Sequence, residues 1–252
     1  MSLHERLQAG ETILGFANTL PAAGIIEIMS KGWDIVWIDC QHGQLSYDSA
    51  LAAVRTAMAM GIDSLVRVPT HDPGLLGVYA DLSPQALMIP LVDTRQQAEA
   101  VARALCFPPR GNRSFGGRRP IDLHGMNYTH THAPLVVAQI ESPEAIEHAA
   151  EIAAVDGIDM LFFGPDDVKL RLGIPMDTVP TEHPALREAM RRVAEIARAA
   201  GKHAGATAGS GPAARAVREL GYQLIMCGSD VHCLRTIAPQ RLAEVRKALS
   251  EP

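Results

Sequence analysis

The feature that most constrains this chain is an alternation. Short apolar runs of strand length recur along it, each followed by a stretch of helical periodicity. Eight runs read as strands, at 12–17, 34–39, 64–68, 86–91, 135–141, 158–164, 203–207 and 222–228. Several, such as Ile35-Val-Trp-Ile38, are apolar without in-and-out alternation, as expected for parallel strands covered on both faces. Eight strand–helix units in 252 residues, with no low-complexity linker, favour α/β architecture as a single (β/α)8 TIM barrel spanning 1–252.

Local signals agree. Pro21 reads as the opening of the first crossover helix, and Ser46-Tyr-Asp as the start of a second that stops at Gly61. In Ser142-Pro143-Glu144, Ser142 can cap, Pro143 suits the first helical position, and Glu144 meets the positive end of the helix dipole. Two segments break the even spacing. One, 107–134, with its paired prolines, paired glycines and Arg110, Arg113, Arg118 and Arg119, reads as a long binding or lid loop. The other follows Gly164-Pro165-Asp166-Asp167 and runs to about Pro184.

A net charge of −5 argues against a nucleic-acid or anionic-membrane partner and leaves a small molecule as the expected one. The first ten residues lack the basic start and apolar core of a secretory signal, and no run reaches membrane-spanning length, so the expected compartment is the cytoplasm. Cys40, Cys106, Cys227 and Cys233 have no metal-type spacing and are expected to be reduced thiols. His130 and His132, and His232 beside Cys227 and Cys233, lack a second cluster at zinc-site spacing and read as loop residues and buried thiols.

In parallel α/β folds ligands bind at the carboxyl ends of the strands, and polar residues gather there. Asp39 and His42 follow the second strand, Arg67 ends the third, Gln139 and Glu141 end the fifth, and Asp166 and Asp167 follow the sixth. Strand alternation sends Gln139 and Glu141 to the side opposite Ile140, into the barrel mouth if Ile140 faces the helices. Two carboxylates sharing a low-dielectric mouth are costly unless a cation lies between them. Glu141 and Asp167 therefore point to a divalent ion. Oxygen-only ligation favours Mg²⁺ or Mn²⁺, with Co²⁺ a third candidate. The plainer reading of Arg67 is an ion pair with Asp39 at the rim, which leaves Glu141 and Asp167 unexplained. The plainer reading of Asp166 is helix capping. The turn from Gly205 to Gly211 could hold a phosphate and supports a weaker rival.

Five motifs in order, Ile-Asp-Cys-Gln-His-Gly, Val-Arg-Val-Pro, Pro-Pro-Arg-Gly-x-Arg-Ser-Phe-Gly, Gln-Ile-Glu-Ser-Pro-Glu-Ala and Phe-Phe-Gly-Pro-Asp-Asp, resemble the HpcH/HpaI aldolases, metal-dependent class II aldolases of 2-oxo acids. The resemblance implies a (β/α)8 barrel that assembles as a homohexamer whose neighbours help complete each site. It implies reversible retro-aldol cleavage of 4-hydroxy-2-oxo acids to pyruvate or hydroxypyruvate and an aldehyde. It makes His42 the base, acting through a water, with Asp39 beside it and Asp81 paired with it. Arg67 would hold the keto or enolate oxygen, and Glu141 and Asp167 the metal. Gln139 would lie near the metal, and the backbone of Gly164, Pro165 and Asp166 would receive the 2-oxo acid carboxylate. The chain departs from the family pattern at Gln41, where Glu is common, at Asp166, where a small residue is common, and at Val168-Lys169, where Leu-Ser is common.

The alternatives are a Schiff-base aldolase, a phosphosugar isomerase on the same barrel, and a non-catalytic 2-oxo acid binder. Schiff-base chemistry must use Lys31, Lys169, Lys202 or Lys247, and only Lys169 lies near the mouth.

Overall fold

The computed structural model describes residues 1–250. Eight parallel strands close a barrel in sequence order: β1 (Ile13–Asn18), β2 (Ile35–Asp39), β3 (Asp63–Arg67), β4 (Ala86–Ile89), β5 (Leu135–Ile140), β6 (Met160–Phe163), β7 (His203–Thr207) and β8 (Leu224–Ser229). The expected (β/α)8 architecture is the one observed, and strand limits move by a few residues. Glu141 and Gly164 lie just past their strands, not within them.

Alternation divides each strand between two cores. Ile13, Ile35, Trp37, Leu65, Met88, Val137, Phe162 and Met226 fill the barrel, and Leu3 and Leu7 of the Leu3–Gln8 helix join that interior cluster. Val36, Ile38, Val66, Leu87, Ala138, Ile140 and Leu161 face outward to the helix layer. Extending the inward series by two residues carries Asp39, Arg67, Gln139, Glu141 and Gly164 to the carboxyl-end mouth.

The Tyr47–Met60 helix begins at an Ser46 cap and ends on Gly61 in the left-handed region, as its sequence signals require. Ser142 caps the Pro143–Glu147 helix through Ala145 N–H. The first crossover helix instead spans Gly24–Met29, later than Pro21 suggested. Its start at Ala23 has no side-chain cap, and Pro21 lies in the preceding turn. The 107–134 segment is not all loop, since it holds short helices at Arg118–His124 and Tyr128–Thr131. Tyr128 anchors them. It is buried, donates to Gly116 O at 2.7 Å, and packs on Phe107 and Phe115. Among the described residues no helix is long and apolar enough to cross a membrane.

Candidate active site

Asp39 and Arg67 are register partners on β2 and β3, so both side chains turn inward at the same height. Arg67 donates Nε to Asp39 Oδ1 at 2.9 Å and Nη2 to Oδ2 at 2.6 Å, while its guanidinium lies 4.6 Å from the Trp37 ring centre. Asp39 Oδ1 also accepts the backbone N–H groups of Gln41 and His42. These bonds fold the chain tightly over the strand end. A Cβ at Gly43 would lie 2.2 Å from Asp39 O, so only glycine fits that turn. Burial alone would raise the Asp39 pKa, but the Arg67 ion pair and the two N–H donors hold it below the usual carboxylate range. The plain rim ion pair read from sequence is therefore present. It also orients Arg67, whose Nη1 keeps no partner among the described residues. His42 is exposed at the turn.

Across the mouth, Gln139 and Glu141 are buried, at 4% and 1% exposure. Glu141 Oε1 accepts Leu91 N–H at 2.8 Å. Burial, with the negative charges of Asp167 and Asp93, pushes the Glu141 carboxyl up to about 7, against the opposing effects of the Leu91 bond and Arg67. Leu91 has φ 56, a left-handed conformation unusual outside glycine, and so turns its N–H toward Glu141. A Cβ on Gly164 would lie 2.8 Å from Glu141 Cβ, 2.9 Å from Gln139 Nε2 and 3.1 Å from Glu141 Oε2. Glycine there keeps a small space open over both side chains. Gln139 Oε1 is buried without a hydrogen-bond partner.

These features fit a hard divalent ion: a buried carboxyl reluctant to ionise, a second carboxylate acting on it, and an orphaned amide oxygen two residues before that carboxyl. Glu141 and Asp167 would hold the ion, with other positions left to water and substrate. Among the described residues no three His, Cys, Asp or Glu side chains cluster as a metal site, here or elsewhere, so the protein would supply only two carboxylates.

Pro165 begins the Pro165–Leu172 helix, with Gly164 at its cap position and no side chain capping it. Its first N–H groups are thus free to meet an anion. The exposed Asp166 carboxylate pairs with Lys169 at 2.8 Å rather than capping. Lys169 is buried, and its Nζ also donates to Met176 O at 2.7 Å. Asp81 ends the Pro73–Ala80 helix and accepts from Arg113 at 2.7 Å, with no hydrogen bond to His42. Arg113 is buried and needs that counter-ion. Arg110 pairs with Asp156 and Arg118 with Asp122, both exposed. Arg119 donates to Leu82 O. Of the cysteines, Cys40 is buried, with its thiol pushed up to about 12 by burial, whereas Cys233 is exposed, contrary to the buried-thiol reading. His132 stacks on His124 at 3.4 Å between ring centres.

Sequence reasoning did not find Leu91, Trp37 or Lys169 as supports of the site. Only Lys169 carried a signal, as a departure from the family motif.

The HpcH/HpaI aldolase/citrate lyase family model matches residues 14–236. The chain belongs to this family. A hydroxypyruvate/pyruvate aldolase of Rhizorhabdus wittichii is 36% identical over 217 residues, 85% of this chain and 86% of the relative. A 4-hydroxy-2-oxovalerate aldolase of Novosphingobium aromaticivorans is 36% identical over 178 residues, 69% of this chain and 68% of that one. Among solved structures, an HpcH/HpaI aldolase/citrate lyase family protein from Burkholderia cenocepacia J2315 superposes with TM-score 0.88 at 32% identity, covering 97% of this chain and 98% of that one.

Proposed function

We propose that this HpcH/HpaI protein is a divalent-metal-dependent class II aldolase. It would interconvert 4-hydroxy-2-oxo acids with pyruvate, or hydroxypyruvate, and an aldehyde. The observation that carries this reading is Glu141, buried beneath the Gly164 gap with Asp167 acting on it, in the same barrel mouth as Arg67. The names of the relatives point the same way.

Bound at Glu141 and Asp167, Mg²⁺, Mn²⁺ or Co²⁺ would supply Lewis acidity to the 2-oxo acid. The free N–H groups at the start of the Pro165–Leu172 helix would receive the carboxylate, with Gly164 and Pro165 leaving the approach clear. Arg67, held by Asp39, offers Nη1 to the keto oxygen as negative charge builds on it. Gln139 gives its unpaired Oε1 to the bound water or substrate. In cleavage His42, through a water, takes the proton of the 4-hydroxyl. The C3–C4 bond breaks, the aldehyde leaves, and C3 is protonated to give pyruvate. Asp39 acts here by positioning. Lys169 is engaged by Asp166 and Met176 O, which argues against it as a Schiff-base nucleophile.

The chain is read as a homo-oligomer, a hexamer by family resemblance. Residues 232–250 of the Asp230–Ser250 helix are all exposed, among them Leu234, Ile237, Leu242 and Leu249. Apolar side chains of a long helix left bare in one chain support burial against another copy. Asp81, bonded to Arg113 within one chain, would then serve the base of a neighbour. The cytoplasm remains the proposed compartment.

The deciding experiment is retro-aldol turnover of a simple 4-hydroxy-2-oxo acid with Mn²⁺. Pyruvate release that is abolished by EDTA and by His42→Ala supports the reading. Borohydride trapping of a pyruvate adduct, with activity surviving EDTA, sinks it. Light scattering reads the mass of the assembly.

A further inference from the structure

Asp39 holds Arg67 by one edge only. It takes Nε and Nη2, so the far group, Nη1, moves most if the guanidinium tilts about that edge. Beneath it the Trp37 ring centre lies 4.6 Å from the guanidinium carbon. We infer, on the aldolase reading above, that Trp37 is a positioning residue for the reaction. Its ring face keeps Arg67 level, so that Nη1 stays aimed where charge develops, and Phe162 and Gly205 brace that ring from the opposite side of the barrel.

Strand register produces the contact. Asp39 pairs with Arg67 and Trp37 with Leu65, so Trp37 lies two residues before Asp39 on the same inward face, diagonally below Arg67. From across the barrel Phe162 meets the Trp37 ring edge-on, with centres 5.7 Å apart and planes at 70°. Both rings are buried, Phe162 completely. Gly205 is the register partner of Phe162 and leaves room for it, since a Cβ there would lie 2.6 Å from Phe162 Cδ2. Phe162 is also level with Gln139 on β5 and two residues before Gly164. The row Arg67, Trp37, Phe162 thus ties the guanidinium to the side of the mouth that carries Gln139 and Glu141.

An aliphatic side chain at 37 could also fill the barrel, as Leu65 does beside it. What the indole adds is a negatively polarised face under a buried cation, and that attraction is strongest where water is excluded. It comes with a penalty, because Trp37 Nε1 is buried without a hydrogen-bond partner. Packing alone gives no reason for that donor. The ring does not compete with Asp39 for the guanidinium. The carboxylate bonds act along its edge, whereas the ring acts from below its carbon, so each restrains a motion the other leaves free.

The test is a double-mutant cycle of Trp37→Leu and Arg67→Lys, read as kcat and KM for Mn²⁺-dependent cleavage of a simple 4-hydroxy-2-oxo acid. Trp37→Leu is expected to lower kcat by about five- to thirtyfold, the range for a shielded cation–π contact, with KM nearly unchanged. In the Arg67→Lys background the same substitution lowers kcat by less than about twofold. Trp37→Phe keeps a ring face, discards the unpartnered N–H, and loses only about two- to fourfold. Losses that multiply across the cycle, or a Trp37→Phe enzyme no better than Trp37→Leu, overturn the inference and leave Trp37 as barrel filling or a direct substrate contact. If Trp37→Leu does not fold, the cycle of Trp37→Phe with Arg67→Lys decides by the same criterion. Exchange of the pyruvate methyl protons in D₂O separates the two levels. Exchange and turnover with a multiplicative cycle overturn the Trp37 role alone. Absence of both in the wild type overturns the aldolase reading and takes the Trp37 role with it.

Discussion

Arg67 reaches Asp39 across the β2–β3 ladder with two parallel N–H···O bonds, of 2.9 and 2.6 Å, between side chains that are both buried. A two-pronged pair of this kind fixes the guanidinium plane as well as its position, which an ammonium cannot reproduce. Arg67→Lys is therefore expected to keep the fold and lower kcat/KM by about 10²- to 10³-fold, the usual loss for one donor aimed at developing charge. Asp39→Ala does something different. It strands a buried guanidinium and should lower stability by about 3–5 kcal/mol, read as a fall in the urea midpoint. Steady-state kinetics and urea unfolding on both variants separate orientation from simple stabilisation.

The Asp167 charge adds to burial in disfavouring ionisation of Glu141, and an ion bound there would remove that penalty. Glu141→Gln and Asp167→Asn should each abolish Mn²⁺ binding in titration calorimetry together with Mn²⁺-dependent turnover. Glu141→Gln should also leave the apo protein at least as stable as wild type near neutral pH, because it replaces a buried acid by a neutral amide. Undiminished Mn²⁺ affinity in both variants would place the metal elsewhere.

Much of this mouth could be read from residue order, because the strand period is two and the barrel sorts odd from even. Ile140 facing the helices is enough to send Gln139 and Glu141 inward, and Ile38 does the same for Asp39. The choice between an ion pair and a substrate contact for Arg67 could not be read, since it depends on β2 and β3 meeting in a register that aligns residues 39 and 67. Leu91 was hidden for a different reason. Its contribution is a backbone N–H turned by a positive φ, and a leucine gives no hint of that conformation. The bond from Asp81 to Arg113 was also hidden, because it depends on how the 107–134 segment folds back on the Pro73–Ala80 helix. The bare Asp230–Ser250 helix has the same apolar spacing that a packed helix would have, so its exposure was not legible either.

Gly164 offers a sharper test of the open space. An added methyl would fall 2.8–3.1 Å from Glu141 and Gln139 atoms, with no flexible surface side chain to move aside. Gly164 has φ −99, so alanine carries no backbone strain there, and the effect should come from the overlap with Glu141 and Gln139 alone. Gly164→Ala is expected to cost about 1–3 kcal/mol of stability, because Glu141 must shift to admit the methyl, and to lose pyruvate binding and turnover. Normal pyruvate affinity, measured by calorimetry in the presence of Mn²⁺, would mean that the substrate does not lie over this gap.

Asp230 ties the end of β8 back to β1, and its stabilisation should depend on acid in a defined direction. It is almost fully buried and accepts bonds from Thr19 Oγ1 at 2.7 Å, Thr19 N at 2.8 Å, Leu20 N at 2.9 Å, Val231 N at 2.7 Å and Asn18 Nδ2 at 3.1 Å. Burial by itself would raise its pKa, but these donors outweigh it and lower the folded-state value. The folded chain thus holds this proton less tightly than the unfolded chain. The stabilisation is complete above the unfolded carboxylate value of about 4 and is lost as pH falls through the lower folded value. Asp230→Asn keeps the shape but replaces an anion that accepts five bonds with an amide that cannot accept them all. It should cost about 1.5–3 kcal/mol at pH 7 and flatten the decline in stability on acidification. Urea unfolding of both proteins from pH 7 to pH 3 checks this, and parallel curves would mean that Asp230 contributes nothing as an anion.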